Sequence, residues 1–189
     1  MADHRWSTSL FTAATAIQAD GLDLVDSLTT LTGFALRGVH LATLVVFLMW
    51  FHRVRCNGQV FRPDGFSQSA GWAIGGWFVP LANFFLPYRT ARETWDASTQ
   101  YASDGSYRET SGTAVVAWWL TFVASVILGW NFARRYAAAG TPEEFRDVFS
   151  FGTVADLTTV VAAGLAVLFV RKLTAMQHVK ATQGPNAAA

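Results

Sequence analysis

The sequence predicts an all-α protein, a polytopic membrane bundle of about four transmembrane helices. The chain of 189 residues is 52% hydrophobic and only 14% charged, whereas soluble domains carry about 25% charged residues. Four long apolar stretches occupy residues 31–51, 71–88, 113–132 and 152–170. Each approaches the ~20 residues that cross a hydrocarbon core of about 30 Å. Because these stretches are apolar on nearly all faces, hydrocarbon rather than water is their expected surroundings.

The remaining segments are predicted to flank or connect these spans. Residues 1–30 are an N-terminal amphipathic or flexible segment, residues 31–180 form the membrane domain, and residues 181–189 form a disordered tail. A cleaved secretory signal is disfavoured because the short apolar stretch near the N-terminus is interrupted by Thr12, Thr15 and Gln18. The run from Thr141 to Glu144 matches a capping box with proline at the first helical position, so a helix should begin there and continue into the fourth span.

The second apolar stretch contains two prolines and an amide. At about 100° per residue, Gly76, Pro80, Asn83 and Pro87 fall on one stripe of a helix. Each proline removes a backbone donor, and hydrocarbon offers no replacement partner. We therefore expect this segment to be Pro-kinked or re-entrant, with Gly76, Pro80 and Pro87 forming the kink and the stripe facing protein or a wet cavity.

The same region carries a family resemblance. Its motifs are a basic run after the first span, a Gly- and Trp-rich stretch with a Val-Pro-x-Ala-Asn core, and a Pro-Tyr-Arg end, in the segments FHRVRCN (51–57), FRPDG (61–65) and GWAIGGWFVPLANFFLPYRTARETWDAS (71–98). The chain resembles the actinobacterial domain-of-unknown-function 4328 family over roughly residues 35–175. The resemblance implies a polytopic bacterial membrane protein and brings no assigned chemistry.

Polar side chains inside the predicted spans are the candidate ligand-binding residues. Arg37, His40, Asn83 and Asp156 are expected to form a polar intramembrane pocket, because ionisable residues within membranes commonly mark functional sites. A plainer interpretation also fits these residues. Arg37 would snorkel to the interface and pair with an acid, Asn83 would bridge helices, and Asp156 would be a helix-start acid or a counter-ion; the acids within reach are Asp23, Asp26 and Asp156.

Two polar clusters lie outside the spans. Glu93 and Asp96 could be paired catalytic carboxylates, but Arg89 and Arg92 beside them favour a solvated, salt-bridged helix face. The basic run after the first span favours an interfacial anchor that touches anionic lipid headgroups, with its charges on His52, Arg53 and Arg55. The tryptophans are expected mostly in the aromatic belts or on faces between helices, at Trp50, Trp72, Trp118, Trp119 and Trp130.

Several classes of chemistry lack a signal. His40 and His52 are about 18 Å apart along a helix, so one ion could not bind both, and Cys56 is the single cysteine. We therefore predict no metal site and no cofactor. The net charge of +1 gives no reason to expect a nucleic-acid partner, and no nucleophile elbow or phosphate loop is present. Whether the chain is an enzyme stays open.

The leading functional hypothesis is a small integral protein of the bacterial cell membrane, structural or regulatory, that assembles with itself or with a membrane partner. Small residues permit close approach of helices, and they occur at Gly75, Gly76, Ala162, Ala163, Gly164 and Ala166. The alternative is a membrane enzyme or transporter in which the polar pocket holds a small or lipid-like ligand.

Overall fold

The computed structural model describes residues 3–100 and 110–183, with side chains from Gly21 to Thr182 within those ranges. Every regular element in this part of the chain is helical, which confirms the all-α class. The helices are α1 (Asp3–Phe61), α2 (Trp72–Gly75), α3 (Leu86–Ala97), α4 (Thr113–Ala138) and α5 (Pro142–Gln183), with a 3₁₀ turn at Ala82–Phe84. The chain divides into two units, Met1–Phe47 and Leu48–Ala189, and each is considered by itself.

Three helical stretches of the described chain are long and apolar enough to cross a membrane. They are Gly21–Phe61 in α1, Thr113–Ala138 in α4 and Pro142–Thr182 in α5. Only 11%, 17% and 17% of their most apolar windows are buried inside the protein. Helices of spanning length are thus confirmed, whereas the predicted count of four is not.

The second apolar stretch is the reason for the lower count. Residues 71–85 form the four-residue helix α2, a series of turns and a 3₁₀ turn in place of one long helix. Pro80 lies within the turns, and Pro87 lies in the first turn of α3, where a missing backbone donor is tolerated. A Pro-kinked spanning helix is therefore not confirmed. Gly76 is buried, and a Cβ there would lie 2.8 Å from the carbonyl oxygen of Trp72.

A tight turn at Leu81 redirects this segment. Leu81 has a φ of 64° and a ψ of −44°, and the backbone N–H of Ala82 donates to the carbonyl of Pro80 at 2.7 Å. This bond from residue i+2 to residue i defines a γ-turn with positive φ at its centre, a strained conformation for a residue with a branched side chain. The Leu81 side chain is 77% exposed, so packing inside the unit does not account for leucine at this position.

Helix α5, the second helix of the α4–α5 hairpin, begins with the predicted capping box. The backbone N–H of Glu144 donates to Thr141 Oγ1 at 3.3 Å, and the N–H of Thr141 donates to Glu144 Oε2 at 3.1 Å. The N–H of Gly140 donates to the same carboxylate oxygen at 2.8 Å. Because α5 runs without interruption from Pro142 to Gln183, the predicted helix start and its continuation into the fourth apolar stretch are both confirmed.

One narrow stripe of α5 faces the interior of the unit. Its buried residues recur every seven positions, at Val148, Ala155, Ala162 and Phe169, which is the repeat of a packed helix pair. At Gly152 the helices are especially close, since a Cβ would lie 2.7 Å from Cε2 of Phe132 on α4. The rest of the α5 circumference is largely exposed.

Aromatic rings fill the interior at the level of Phe169. Its ring stacks on Trp118 with a centroid distance of 4.5 Å and an interplanar angle of 6°, and on Trp95 at 6.3 Å and 20°. Trp119 packs edge-on against Trp118 at 5.7 Å. Trp118 and Trp119 are buried, so they belong to a face between helices rather than to an interfacial belt.

The γ-turn leads to a prediction about stability. Leu81→Gly should be about 1 kcal/mol more stable than Leu81→Ala, because glycine adopts positive φ without steric cost whereas alanine keeps the strain. Both variants lose the same leucine contacts, so the difference isolates the backbone. Denaturant unfolding in a mild detergent measures it. Equal stability of the two variants would show that residue 81 is not held in this conformation.

Candidate functional site

The amphipathic helix α3 presents the predicted salt-bridged face. Arg89 Nε lies 3.2 Å from Glu93 Oε1, and Arg92 Nε lies 3.2 Å from Asp96 Oδ2. Glu93 also accepts hydrogen bonds from the backbone N–H and the hydroxyl of Ser67. Both carboxylates are thus engaged by neighbouring donors, and the structural interpretation of this cluster is confirmed.

A buried lysine of α5 binds the carboxyl end of α3. Lys180 on α5 is only 7% exposed, and its Nζ donates to the carbonyl oxygens of Ala97 at 3.0 Å and Thr99 at 2.6 Å. The last carbonyls of a helix have no partner within the helix and carry the negative end of its dipole. The ammonium of Lys180 therefore satisfies the carboxyl end of α3 and joins it to α5.

A buried amide joins the same helix ends one turn away. Gln177 Nε2 donates to the carbonyl oxygen of Val54 on α1 at 2.8 Å and to Ser98 Oγ at 3.1 Å, at the end of α3. Its Oε1 accepts from Asn57 Nδ2 at 3.2 Å. One side chain of α5 thereby bonds to both neighbouring helices, as expected of a buried polar group whose partners are all provided.

Arg55 turns inward rather than toward lipid headgroups. It is 2% exposed, its Nη2 donates to the carbonyl oxygen of Gln68 at 2.6 Å, and its Nη1 donates to Gln59 Oε1 at 3.1 Å. Its guanidinium carbon lies 3.5 Å from the ring centroid of Phe66. Arg55 therefore holds the 62–70 loop against α1, while Arg53 on the same helix is exposed. The predicted basic anchor is thus divided between an internal and an external arginine.

The carboxyl-terminal ends of α1 and α5 line an open groove of about 540 Å³. Its polar lining comes from Arg53, Asn57, Thr174, Gln177 and His178. Its apolar lining comes from Trp50, Val54, Val60, Phe61 and Ala181. Two of these described side chains are basic and none is acidic, so the groove is suited to an anion that also carries apolar surface. At one end, Trp50 Nε1 donates to Thr174 Oγ1 at 3.2 Å.

Two residues of the predicted intramembrane pocket lie in the same unit as this groove but do not line it. Asn83 lies in the 3₁₀ turn, and its Oδ1 is buried without a hydrogen bond from the described residues. Asp156 lies on an exposed position of α5. No hydrogen bond within the described chain joins the two, so their convergence on one pocket stays a prediction.

The other two pocket residues lie in the unit Met1–Phe47. His40 Nδ1 donates to the carbonyl oxygen of Leu36 at 2.7 Å; because a carbonyl only accepts, Nδ1 carries the proton. Arg37 extends back along α1, with its Nη1 3.5 Å from the position of a Cβ on Gly33 and its guanidinium 5.8 Å from the Phe34 ring. No ion pair joins Arg37 to Asp23 or Asp26 in the part of the chain described.

Sequence reasoning missed Gln177 and Lys180, although a signal for both was present. The buried stripe of α5 passes from Phe169 to Leu173 and continues at Gln177 and Lys180, at helical spacings of four and three. Following this stripe beyond the last apolar stretch places both polar side chains on the interior face. The predicted fourth span ends at residue 170, so residues 177 and 180 lay outside it.

The role of Lys180 at the carboxyl end of α3 can be tested by substitution. Lys180→Met should lower the free energy of unfolding by about 1–3 kcal/mol, because the carbonyls of Ala97 and Thr99 lose their donor while remaining buried. Lys172→Met is the matched control, since Lys172 is exposed on the same helix. Denaturant unfolding in detergent measures both. Equal effects of the two substitutions would contradict a specific role for Lys180.

Comparison with known proteins gives a family but no relative of known activity. No curated protein matches the chain, and no solved structure matches it. The model of the Domain of unknown function (DUF4328) family matches residues 13–175, which include α2, α3 and α4 in full and the residues of the groove before Gln177. The chain therefore belongs to the DUF4328 family.

Proposed function

We propose that this protein is a small, non-enzymatic integral component of the cell membrane that assembles with itself or with another membrane protein. The observation that carries the proposal is the low burial of its three candidate spans, 11–17% of their most apolar windows. Lipid can cover most of that surface. A helix face that combines a notch with flanking apolar side chains is better suited to a second helix.

Such a face exists on α5. Leu157, Val161, Gly164 and Leu168 succeed one another at helical spacings of four and three, and all four are exposed. Beyond its own helical turns, no heavy atom lies within 4 Å of the position that a Cβ on Gly164 would take. Ala162 faces inward, so the small residues divide between packing within the chain and this outward notch. Close approach of a partner helix at Gly164 would gain van der Waals contact on both sides of the notch.

The notch provides the test of assembly. Gly164→Leu should reduce cross-linked oligomers or co-purified partner by about tenfold, because a loss near 1.4 kcal/mol at a packed interface has that effect. Gly129→Leu on α4 is the matched control, since Gly129 is also exposed and open. The measurement is cross-linking in native membranes followed by native mass spectrometry. A wild-type particle that is monomeric and free of partners would contradict the proposal.

A second candidate function, a polar pocket for a small or lipid-like ligand, is favoured by one observation. Asn83 Oδ1 is buried without a hydrogen bond among the described residues, and buried polar atoms normally have a partner. A ligand donor would supply one. In this hypothesis Asn83 and Asp156 act together, which a double-mutant cycle can detect.

The cycle compares Asn83→Ala, Asp156→Ala and the double variant by unfolding in detergent. Residues that share one pocket should couple by about 0.5–3 kcal/mol, whereas distant sites add within about 0.5 kcal/mol. Asn83→Ala combined with Asp147→Ala is the control, because Asp147 is a second exposed acid on α5. Additivity in both cycles would contradict a shared pocket.

A further inference from the structure

We propose that the groove between the ends of α1 and α5 binds the phosphate group of an anionic phospholipid, with Arg53 and His178 as its donors. The inference rests on the membrane placement proposed above, but it concerns a different surface from the assembly face on α5. It assigns a ligand class to a site that lies outside the predicted polar pocket.

The position of the groove along the helices matches the depth of lipid headgroups. The apolar stretches of α1 and α5 end near residues 51 and 170, and Arg171 and Lys172 follow directly. The groove begins beside these ends, at Trp50 and Thr174, whose side chains are hydrogen-bonded at 3.2 Å. Tryptophan is enriched at the level where hydrocarbon meets the headgroups. Arg53 lies in the first turn of α1 beyond its apolar stretch, and His178 lies about two turns beyond the apolar stretch of α5.

The cationic side chains around the groove differ in their hydrogen-bond partners. Arg55 and Lys180 are buried and donate to backbone carbonyls within the protein. By contrast, Arg53 and His178 are exposed, and no hydrogen bond or ion pair within the described residues engages either one. An arginine fork and an imidazole N–H across a groove without acidic lining are well suited to phosphate oxygens.

The walls distinguish a lipid from a free anion. Trp50 and Val54 line the end of the groove nearer the apolar stretches, whereas Val60, Phe61 and Ala181 line the end farther from them. Inorganic phosphate would leave the surface of Trp50 and Val54 uncovered, whereas the glycerol backbone and upper acyl chain of a lipid, which lie on the hydrocarbon side of its phosphate, would cover it. The hydroxyl of Thr174 and the amide of Asn57 lie in the same groove, where polar headgroup atoms can be hydrogen-bonded. We therefore assign the site to a phospholipid with net negative charge, such as phosphatidylglycerol.

The test uses the full chain purified in a mild detergent. Short-chain phosphatidylglycerol, short-chain phosphatidylcholine and inorganic phosphate are titrated separately, and native mass spectrometry measures bound ligand. The wild type should bind phosphatidylglycerol in preference to phosphatidylcholine, and added salt should weaken the binding. Arg53→Gln should reduce phosphatidylglycerol affinity by about tenfold, the effect of losing one charge-assisted hydrogen bond. His178→Gln should also reduce it.

Arg134→Gln is the matched control, because Arg134 is exposed near the end of α4, outside the groove. It should leave the affinity unchanged, and Arg53→Lys should recover part of it because the charge is kept. Equal binding of the two lipids, or an unchanged affinity in Arg53→Gln, would overturn the proposal. Saturation by inorganic phosphate at the same concentration would assign the site to a free anion instead of a lipid.

The same titration on Gly164→Leu separates this proposal from the assembly proposal. Retained lipid preference in a monomeric particle would support the lipid site while assembly is lost. Loss of lipid preference in Gly164→Leu would overturn a site made by Arg53 and His178 of one chain, because Gly164 does not line the groove.

Discussion

The rest of the structure depends on how little of each long helix is packed against the protein itself. Helix α5 buries one stripe, from Val148 through Ala155 and Ala162 to Phe169, and leaves most of its remaining circumference uncovered. In water the exposed leucines and valines would carry a large hydrophobic cost, whereas hydrocarbon removes that cost. A protein that packs along single stripes can therefore have long helices that are apolar on most faces. The outward faces stay available to lipid and to other helices.

Polar groups concentrate where the helices extend beyond their apolar stretches. Gln177 and Lys180 connect α5 to the end of α3, and Arg55 holds the 62–70 loop against α1. Lys180 and Arg55 provide donors to backbone carbonyls at the end of α3 and in the loop, where no helical N–H reaches them, and Gln177 adds a second donor to a carbonyl of α1. The same end of the unit exposes Arg53 and His178 in a groove. Polar side chains of similar chemistry thus have two roles, internal cross-linking and an outward binding surface.

The segment between α1 and α3, which is not one continuous helix, combines exposed apolar side chains with backbone groups that are hydrogen-bonded locally. Its turns leave Phe78, Leu81 and Phe85 exposed, although Trp77 packs edge-on against Phe51 and Trp119. Irregular backbone is not tolerated in contact with lipid hydrocarbon unless its polar groups are satisfied locally. The local bonds of the γ-turn and the 3₁₀ turn do satisfy several of them. The segment is therefore suited to an interface more than to a crossing.

The sequence alone determined the helical class, three of the four predicted long apolar helices, the capping box at Thr141 and the salt bridges of α3. These features depend on local periodicity, composition and spacings of three or four residues, which neighbouring positions encode directly. Only the tertiary structure decided that residues 71–85 form turns instead of one long helix, that Arg55 points inward, and that Lys180 binds the carboxyl end of α3. Hydropathy cannot separate an apolar series of turns from a spanning helix, and the partner of a long cation depends on which carbonyls the fold brings within its reach. For Lys180 that reach joins residues more than eighty positions apart.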